Sequence, residues 1–288
     1  MNKCGGLRSK GKIKASVEGK PLVSIVVPVF NGAMFLDETL RSVLSQTYEN
    51  IECIVIDGGS TDDSLEIIRK YEDKLDYWLS EPDSGMYEAI NKGLKMASGE
   101  ILAYLNSDDL YFPDTVQIAV GFFSKHPAAE LIYGNCEFIN GRGEFLYIYH
   151  YPKFKWASYI VRNTSCMAQP TTFWRSLIHG KAGYFDTTFK MSSDFDFYAK
   201  VGKCCRFEHT GKVLAKYRIH NATLTETRKQ RIKIENEIIN KRYCCYRGIY
   251  RIYLWCKIEL WIKLCNFPLM LKKAYLFLTR GSAYKIYD

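Results

Sequence analysis

The sequence of 288 residues predicts an α/β protein with a mostly parallel central sheet flanked by helices. Three observations support this fold class. The strand-like runs are almost entirely apolar, amphipathic helical patterns separate them, and polar residues follow the strands without interrupting them. Strands that lack polar alternation are buried on both faces, which is typical of parallel sheets covered by helices.

Strands and helices alternate along the first part of the chain. The run LVSIVVPV at residues 22–29 predicts a buried strand, and Leu36, Leu40 and Leu44 mark one face of the following helix. The segments IECIVID and GSTDDSLEIIRKYED predict a second strand and helix, and MYEAINKGLKMA predicts a helix before the strand ILAYL. Pro113 suits the first turn of a further helix.

The rest of the chain predicts a hairpin, a helix and a strand. The hairpin turns around residues 140–143, the helix lies in SSDFDFYAKVG, and the strand KVLAKYRIH ends at His220. Ligands bind beyond the carboxyl ends of parallel strands. Residues 29–32, 57–60 and 106–109 follow three predicted strands, so we expect these loops to meet in one crevice.

Charge is distributed unevenly along the chain. Residues 225–288 hold 14 of the 40 Lys and Arg but only 5 of the 31 Asp and Glu, so the net charge of +9 comes from this segment. This argues against a uniformly basic nucleic-acid-binding protein. We predict a flexible basic N-terminus at 1–20, a catalytic domain at 21–224 and a basic amphipathic helical tail at 225–288.

The ten cysteines show no CxxC spacing, and the first residues contain no long apolar segment of a signal peptide. These features favour reduced thiols in a cytoplasmic protein over a cysteine-bound metal.

Asp108 and Asp109 end a nearly apolar run in the segment LNSDD. Two carboxylates about 4 Å apart repel by about 4 kcal/mol at an effective dielectric near 20, so their proximity favours a site for a cation or a hydroxyl. The turn after the first strand reads PVFNGAMF, not GxGxxG, and no P-loop sequence is present. A metal ion on carboxylates is the alternative way to bind a phosphate.

The sequence resembles the family-2 glycosyltransferases, which have the GT-A (Rossmann-like) fold. The resemblance covers about residues 21–224 and rests on VSIVVPVFN, SVLSQTYENIE, IVIDGGSTDDS, EPDSGMYEAINKGLKMASGEILAYLNSDD, QPTTFWR, SSDFDFYAKV and YRIH, in the family's order. It implies an inverting enzyme that transfers one sugar from a nucleotide-diphosphate sugar to a hydroxyl of a glycan or lipid-linked acceptor. A UDP-sugar is the favoured donor, and the implied process is cell-surface polysaccharide biosynthesis. Processive members carry a QxxRW motif and transmembrane helices, and this sequence has neither.

The resemblance also implies the donor-binding residues. Asp57 would accept a hydrogen bond from the nucleotide base, in a pocket shaped by Pro28 and Phe30. A turn or helix-cap role is the alternative for Asp57. Asn91 and Lys92 would contact the donor, and a solvated helix face is the alternative for Lys92.

The implied metal site lies in LNSDD, where Asp108 and Asp109 resemble the family's DxD acids and Asn106 stands at the place of the first acid. Asp109 would hold Mn²⁺ or Mg²⁺, and Asp108 would bind the metal or the ribose of the donor. His220 matches a histidine that many relatives carry near the metal or the diphosphate, and a structural role is its alternative.

Asp194 lies where the family has its catalytic base. An inverting transfer needs a carboxylate that takes the proton from the acceptor hydroxyl as this hydroxyl attacks the anomeric carbon. The family usually has Glu-Asp where this chain has Ser193-Asp194, and Asp196 is the rival for the role. Gln169 and Pro170 are implied on the acceptor side.

The tail places aromatic and aliphatic residues at helical spacing among Arg and Lys over residues 243–264. No run of 18 uncharged apolar residues occurs, so a membrane span is not predicted. The tail either lies on an anionic membrane surface or packs on the catalytic domain. With the resemblance, we predict a peripheral enzyme at the inner face of the cytoplasmic membrane.

Two other functions stay open. A non-catalytic nucleotide-sugar-binding relative is favoured by Asn106 and Ser193, which stand at positions often acidic in the family. A nucleotide-sugar pyrophosphorylase would need a GxGxR-type loop after the first strand, which the sequence lacks.

Overall fold

A computed structural model describes residues 3–163, 166–221, 228–246 and 248–271. Its strands are β1 (Cys4–Gly5), β2 (Val23–Val29), β3 (Ile51–Asp57), β4 (Tyr77–Ser80), β5 (Ile101–Tyr104), β6 (Leu110–Tyr111), β7 (Leu131–Asn140), β8 (Phe145–Tyr149), β9 (Phe173–Arg175) and β10 (Phe207–Ile219). Its helices are α1 (Ala33–Leu44), α2 (Ser64–Lys70), α3 (Met86–Met96), α4 (Thr115–Lys125), α5 (Trp156–Arg162), α6 (Ile178–Ala182), α7 (Ser193–Val201), α8 (Lys229–Tyr243) and α9 (Gly248–Cys265). Short 3₁₀ helices span Leu7–Lys10 and Gln169–Thr171.

The strands of the described residues form one sheet in the order β1-β4-β3-β2-β5-β9-β7-β10-β6, with β8 paired to β7. The neighbours β4-β3, β3-β2, β2-β5 and β7-β10 are parallel. The other pairs, including the predicted hairpin β7-β8, are antiparallel. The sheet is therefore mixed, which corrects the expectation of a mostly parallel sheet.

The short strand β9 is the main reason for the mixed sheet. It lies between β5 and β7 and is antiparallel to both, with Trp174 opposite Leu102 on one side and Leu131 on the other. A strand buried on both faces needs apolar side chains in either direction, so its apolar sequence does not reveal its direction. The long apolar runs of β2, β3 and β5 do pair in parallel, as predicted.

Helices cover both faces of the sheet. One buried apolar cluster joins the strands to α1, α2 and α4, and a second joins them to α3, α5, α7 and the tail helices α8 and α9. Leu36 and Leu40 on the predicted face of α1 are fully buried. Burial on both faces explains why the sheet strands are almost continuously apolar.

The N-terminal residues, expected to be flexible, pack against the edge of the sheet. β1 is antiparallel to β4, and the Arg8 amide donates to the Asp76 carbonyl at 2.9 Å. The Arg8 guanidinium forms an ion pair with Glu52, whose side chain is fully buried at the start of β3. Glu52 also accepts hydrogen bonds from the Ser24 hydroxyl and the Ser98 amide. A buried carboxylate needs such partners, and Arg8 supplies the positive charge.

The two tail helices pack on the same face of the sheet as α5 and α7. α8 buries Ile239, and α9 buries Ile258 and Ile262. Arg162 Nε on α5 donates to Glu259 Oε1 on α9 at 2.9 Å. One side of each tail helix is therefore part of the folded unit.

The opposite side of α9 is apolar and exposed. Ile249, Tyr253, Leu260 and Leu264 are 86%, 54%, 61% and 66% exposed. Tyr253, Leu260 and Leu264 follow Ile249 by four, eleven and fifteen residues, so the four side chains lie along one stripe of the helix. Across the described residues, no helix is both long enough and apolar enough to pass through a bilayer.

We predict that Arg8→Ala lowers the free energy of unfolding by about 3 kcal/mol, because it leaves the buried Glu52 carboxylate without its cation. Urea unfolding of the full chain measures this change. Lys10→Ala is the matched control on the same 3₁₀ helix, because its partner Asp73 is 87% exposed, and it should unfold like wild type. Equal midpoints for Arg8→Ala and wild type would show that the N-terminus does not stabilise the fold.

Candidate active site

Two loops at the carboxyl ends of β2 and β3 are tied together by hydrogen bonds. Asn31 adopts a left-handed backbone with φ 50°, and its Oδ1 accepts the Thr61 amide at 2.8 Å. The Asn31 amide donates to Ser60 Oγ at 2.8 Å, and the Ala33 amide donates to Asp62 Oδ2 at 3.0 Å. These bonds join the two loops at the carboxyl ends of β2 and β3.

Asp57 lies at the end of β3 and is fully buried. Its carboxylate accepts hydrogen bonds from the Ser60 amide and hydroxyl and, at 2.6 Å, from Ser80 Oγ. Asp57 pairs with Val29, so Pro28 and Phe30 flank the neighbouring position on β2. Pro28 is buried and Phe30 is 65% exposed. The predicted contact with a base stays a prediction, and the internal bonds of Asp57 also fit its alternative turn role.

The acids of the LNSDD loop occupy two different environments. Asp109 is 1% exposed, and its Oδ1 accepts the Arg218 amide at 3.0 Å. Burial, followed by the neighbouring charge of Asp108, raises the pKa of Asp109 well above its usual value. The Asp108 side chain is 27% exposed, so it is the accessible member of the pair.

Asp108 faces His220, which follows the end of β10. Asp108 Oδ2 lies 3.1 Å from His220 Nε2, and the His220 ring lies 4.6 Å from the Phe35 ring. The side chains of Asp108 and His220 are 27% and 16% exposed. The structure therefore brings together two of the three predicted metal ligands at an accessible position and places Asp109 beneath them.

Arg218 organises this part of the site, although no role was predicted for it from the sequence. Its side chain is 1% exposed, and its Nε donates to the Asp108 carbonyl at 3.0 Å. Its Nη2 donates to Glu38 Oε2 at 2.6 Å, and the guanidinium lies 4.6 Å from the centre of the Phe35 ring. The available signal was the segment YRIH, because residues two apart in a strand share a face and Arg218 is two residues from His220.

Asn106 Oδ1 is buried and has no hydrogen-bond partner among the described residues. The Nδ2 of the same side chain lies 3.4 Å from both Asp109 Oδ2 and Gln169 Oε1. A buried acceptor without a donor costs about 1–3 kcal/mol, so this oxygen is available to a ligand. Asp108 and His220 offer a carboxylate and an imidazole at one position, and a carboxylate oxygen is the ligand type that Mn²⁺ and Mg²⁺ prefer.

The described residues contain no group of three or more His, Cys, Asp or Glu side chains arranged to hold a metal. An ion at Asp108 and His220 would therefore need further oxygen ligands from water or from substrate. A divalent cation that binds substrate phosphates keeps such positions open.

Asn91 and Lys92 on α3 have partners within the protein. Asn91 exchanges two hydrogen bonds with the backbone of Phe185, at 2.8 and 3.1 Å. Lys92 Nζ lies 2.8 Å from Glu81 and 3.5 Å from Glu88. Burial alone would lower the pKa of Lys92, but the bond to Glu81 and the acidic neighbours raise it. Donor contacts of these two residues stay predictions.

Asp194 lies in the first turn of α7 and is partly buried. Its Oδ1 accepts the Tyr87 hydroxyl at 3.0 Å and the Phe195 amide at 2.8 Å. Burial raises the pKa of Asp194, and these two hydrogen bonds oppose the increase. The rival Asp196 is 1% exposed and bonds Arg242 Nη1 and the Tyr243 hydroxyl at 2.9 and 3.1 Å, which fits a structural role.

The segment that contains Gln169 connects the two acidic regions. Gln169 Nε2 donates to the Tyr104 carbonyl at 2.7 Å, and its Oε1 is the atom near Asn106. The Thr172 hydroxyl lies 2.9 Å from the Tyr198 hydroxyl on α7. The LNSDD loop and the helix of Asp194 therefore contact the same short segment.

A cavity of about 790 Å³ lies between α8 and the loop before α7. Phe189, Ile234, Arg231 and Glu235 are among its lining residues. None of the predicted donor-binding or metal-binding residues lines it, so the proposed chemistry is assigned to the crevice at the strand ends and not to this cavity.

Comparisons with known proteins give a matching family model and several relatives. A family model described as Glycosyl transferase family 2 matches residues 24–186. An uncharacterized glycosyltransferase of Rickettsia typhi is 34% identical over 213 residues, which cover 72% of this chain and 67% of the relative. A PGL/p-HBAD biosynthesis glycosyltransferase of Mycobacterium bovis is 29% identical over 187 residues, which cover 62% of this chain and 68% of the relative.

Two solved structures share the fold. TarS of S. aureus in complex with UDP-GlcNAc has a TM-score of 0.62 at 19% identity, over 86% of this chain and 75% of that chain. Mannosyltransferase PcManGT of Pyrobaculum calidifontis, in complex with GDP-Man and Mn²⁺, has a TM-score of 0.61 at 17% identity, over 97% of this chain and 81% of that chain. At these identities the likeness concerns the fold alone, and it confirms the predicted GT-A architecture.

Proposed function

Because this chain belongs to glycosyl transferase family 2, we propose that it transfers one sugar, with inversion, from a nucleotide-diphosphate sugar to a hydroxyl group. The acceptor is a glycan or a lipid-linked saccharide in cell-surface polysaccharide biosynthesis, and a UDP-sugar is the first donor to test. The observation that best supports this proposal is the accessible Asp108–His220 pair at the strand ends. The Gln169 segment connects this region to the helix of Asp194.

The donor occupies the crevice at the ends of β2, β3 and β5. Asp57 binds the base beside Pro28 and Phe30, and the large exposed ring of Phe30 offers a surface for stacking. Asn91 and Lys92 complete the donor side. The solved neighbours of similar fold are complexes with UDP-GlcNAc and with GDP-Man, so both uridine and guanosine donors belong in the first screen.

Asp108 and His220 are the first contacts for a divalent cation, Mn²⁺ or Mg²⁺, and the buried Asp109 carboxyl lies next to Asp108, where a bound cation would favour its ionised form. When bound, such an ion neutralises the charge that develops on the departing nucleoside diphosphate. The protein contributes the acids that attract the ion and the neighbouring Asn106 oxygen, which is buried and lacks a partner among the described residues. The same positive charge offsets the repulsion between the two adjacent carboxylates.

Asp194 acts as the base on the acceptor side. The acceptor oxygen forms a bond to the anomeric carbon, and the bond from that carbon to the diphosphate oxygen breaks. The proton of the acceptor hydroxyl goes to the Asp194 carboxylate, which Tyr87 orients. A raised pKa lies closer to neutral pH and makes the carboxylate a stronger base.

A non-catalytic nucleotide-sugar-binding protein is the second candidate. Asn106 and Ser193 stand at positions often acidic in the family, and the hydroxyl of Ser193 is buried without a partner among the described residues. Donor hydrolysis or transfer by the purified chain with Mn²⁺ separates the two functions. A binder would be stabilised by the donor and would leave it intact.

We place the enzyme at the inner face of the cytoplasmic membrane, held by the exposed apolar stripe of α9. Lys257 and Lys263 are exposed on the same helix, so cationic and apolar side chains occur together. Such a helix binds an anionic lipid interface through buried apolar area and through charge. The position suits a lipid-linked acceptor.

We predict that Asp108→Asn and His220→Ala each weaken Mn²⁺ binding at least about tenfold, because each removes one of the two accessible donors. The readout is the Mn²⁺ dependence of thermal stabilisation by UDP- and GDP-sugars. Asp73→Asn is the control, because it removes an equally charged but 87% exposed carboxylate. An unchanged Mn²⁺ dependence in both variants would exclude this pair as the metal site.

We predict that Asp194→Asn lowers kcat by about 100-fold or more and leaves donor stabilisation intact. In wild type, activity should fall as pH drops through the raised pKa of Asp194, above the usual aspartate value of about 3.9. Tyr87→Phe removes a hydrogen bond that lowers this pKa, so the acid limb should move to higher pH. Tyr111→Phe, which removes a buried hydroxyl that bonds no described residue, should not move it. Full activity of Asp194→Asn would rule out its role.

We predict that the full chain floats with vesicles containing phosphatidylglycerol and that added salt weakens this binding. Leu260→Ser with Leu264→Ser should reduce vesicle binding at least about tenfold, because a buried leucine contributes roughly 1.5–3 kcal/mol. Leu177→Ser, at an exposed leucine outside the tail, is the control. Equal flotation of the double variant and wild type would show that this stripe is not the membrane contact.

A further inference from the structure

The tail helix α8 carries a buried carboxylate that contacts the loop before α7. Glu235 is 6% exposed, although it lies on a helix whose other acid, Glu237, is exposed. Glu235 Oε1 accepts the Lys190 amide at 3.0 Å, and Oε2 accepts the Met191 and Ser192 amides at 2.8 and 3.0 Å. One side chain thus accepts three successive backbone N–H groups.

These three amides lie immediately before the helix that carries Asp194. The N-terminus of a helix leaves backbone N–H groups without partners inside the helix, and a side-chain acceptor usually binds them. Ser192, the N-cap of α7, makes no such side-chain bond. The side chain that accepts the amides before α7 is that of Glu235, which is more than forty residues away in sequence.

Further contacts fix α8 against α7 and α5. Arg242 and Tyr243 near the end of α8 both bond Asp196 on α7, at 2.9 and 3.1 Å. Asn240 Nδ2 donates to the Ile160 carbonyl on α5, and Arg231 Nε donates to Glu235 itself at 2.9 Å. α8 is therefore attached both to the loop before α7 and to α7 itself, and we call these contacts the brace.

We propose that Glu235 is a positioning residue for the reaction, which fixes the turn before α7 and thereby the location of the Asp194 carboxylate. This inference rests on the proposed function of Asp194 as the base. It assigns a task in the transfer to the tail, which lies beyond the matched residues 24–186.

Glu235 also acts on Asp194 electrostatically. Its negative charge raises the pKa of Asp194, in addition to the larger effect of burial. Tyr87 on α3, Tyr104 on β5 and Tyr198 on α7 also interact electrostatically with this carboxylate. The nearby charges of Asp196 and Glu235 are paired with Arg242 and Arg231 on α8. Loss of the charge at Glu235 therefore lowers the pKa of Asp194.

The test compares Glu235→Gln with Glu237→Gln in the full chain. Both variants remove one negative charge from the same helix, but only the first replaces one of the two carboxylate oxygens that accept the three amides by an NH₂ group, which cannot accept. For Glu235→Gln we expect kcat to fall about 10- to 100-fold, since a small misplacement of a catalytic group has effects of this size. The KM for the donor should stay near wild type, and the acid limb of the pH profile should move to lower pH, opposite to Tyr87→Phe.

Glu235→Asp separates charge from geometry. It keeps the negative charge on a side chain shorter by one methylene, so kcat should fall while the acid limb stays nearer its wild-type position. Glu237→Gln should match wild type in both measurements. If Glu235→Gln keeps the kcat and the pH profile of Glu237→Gln, the positioning role is overturned.

Amide hydrogen exchange makes the test independent of activity. The amides of Lys190, Met191 and Ser192 should exchange faster in Glu235→Gln than in Glu237→Gln, since their acceptor is weakened. If the wild-type enzyme neither transfers nor hydrolyses any donor, the proposed function fails and the positioning role in that reaction fails with it. If the wild-type enzyme is active but these three amides exchange equally fast in Glu235→Gln and in Glu237→Gln, the positioning role alone is overturned.

Discussion

The buried connection between Asp109 and Arg218 determines where the accessible groups of the site lie. In the sheet, β5 and β10 are separated by β9 and β7, so the LNSDD loop has to cross these strands to reach β10. Arg218 holds it there, because its amide binds the Asp109 carboxylate and its Nε binds the Asp108 carbonyl. Since β6 follows directly and pairs with β10, the crossing is continued by sheet pairing. The meeting of Asp108 and His220 depends on this path of the chain.

Two acidic regions of the candidate site differ in the groups that surround their carboxyls. At Asp109, burial and the charge of the adjacent Asp108 raise the pKa, whereas the Arg218 amide and Asn106 lower it. At Asp194, burial and Glu235 raise the pKa, whereas Tyr87 and the Phe195 amide lower it. The balance among these contributions sets the pKa of the Asp194 carboxyl. Separate environments of this kind are what the proposed reaction needs, since it has to stabilise a leaving anion in one place and accept a proton in another.

The sequence predicted the features that depend on local pattern. The apolar runs of β2, β3 and β5, the helix faces and the β7-β8 hairpin are of this kind, and so is the placement of three polar loops at strand ends. The direction of β9, the packing of the N-terminus through Arg8 and Glu52, and the brace at Glu235 depend on partners far away in sequence. An acid within an apolar run, such as Glu52 in IECIVID, indicates that a buried partner exists but does not say which residue supplies it.

The tail shows why its two expected roles are compatible. Ile258 and Ile262 on one side of α9 pack on the domain, while Leu260 and Leu264 on another side are exposed. A helix with apolar residues on two sides lacks the single apolar face by which an amphipathic helix is recognised in a sequence. Packing through the first side leaves the second accessible to a lipid surface. Since α8 precedes α9 and contacts both the loop before α7 and α7 itself, the proposed positioning of Asp194 uses the packed side of the tail and leaves the exposed stripe for the proposed membrane contact.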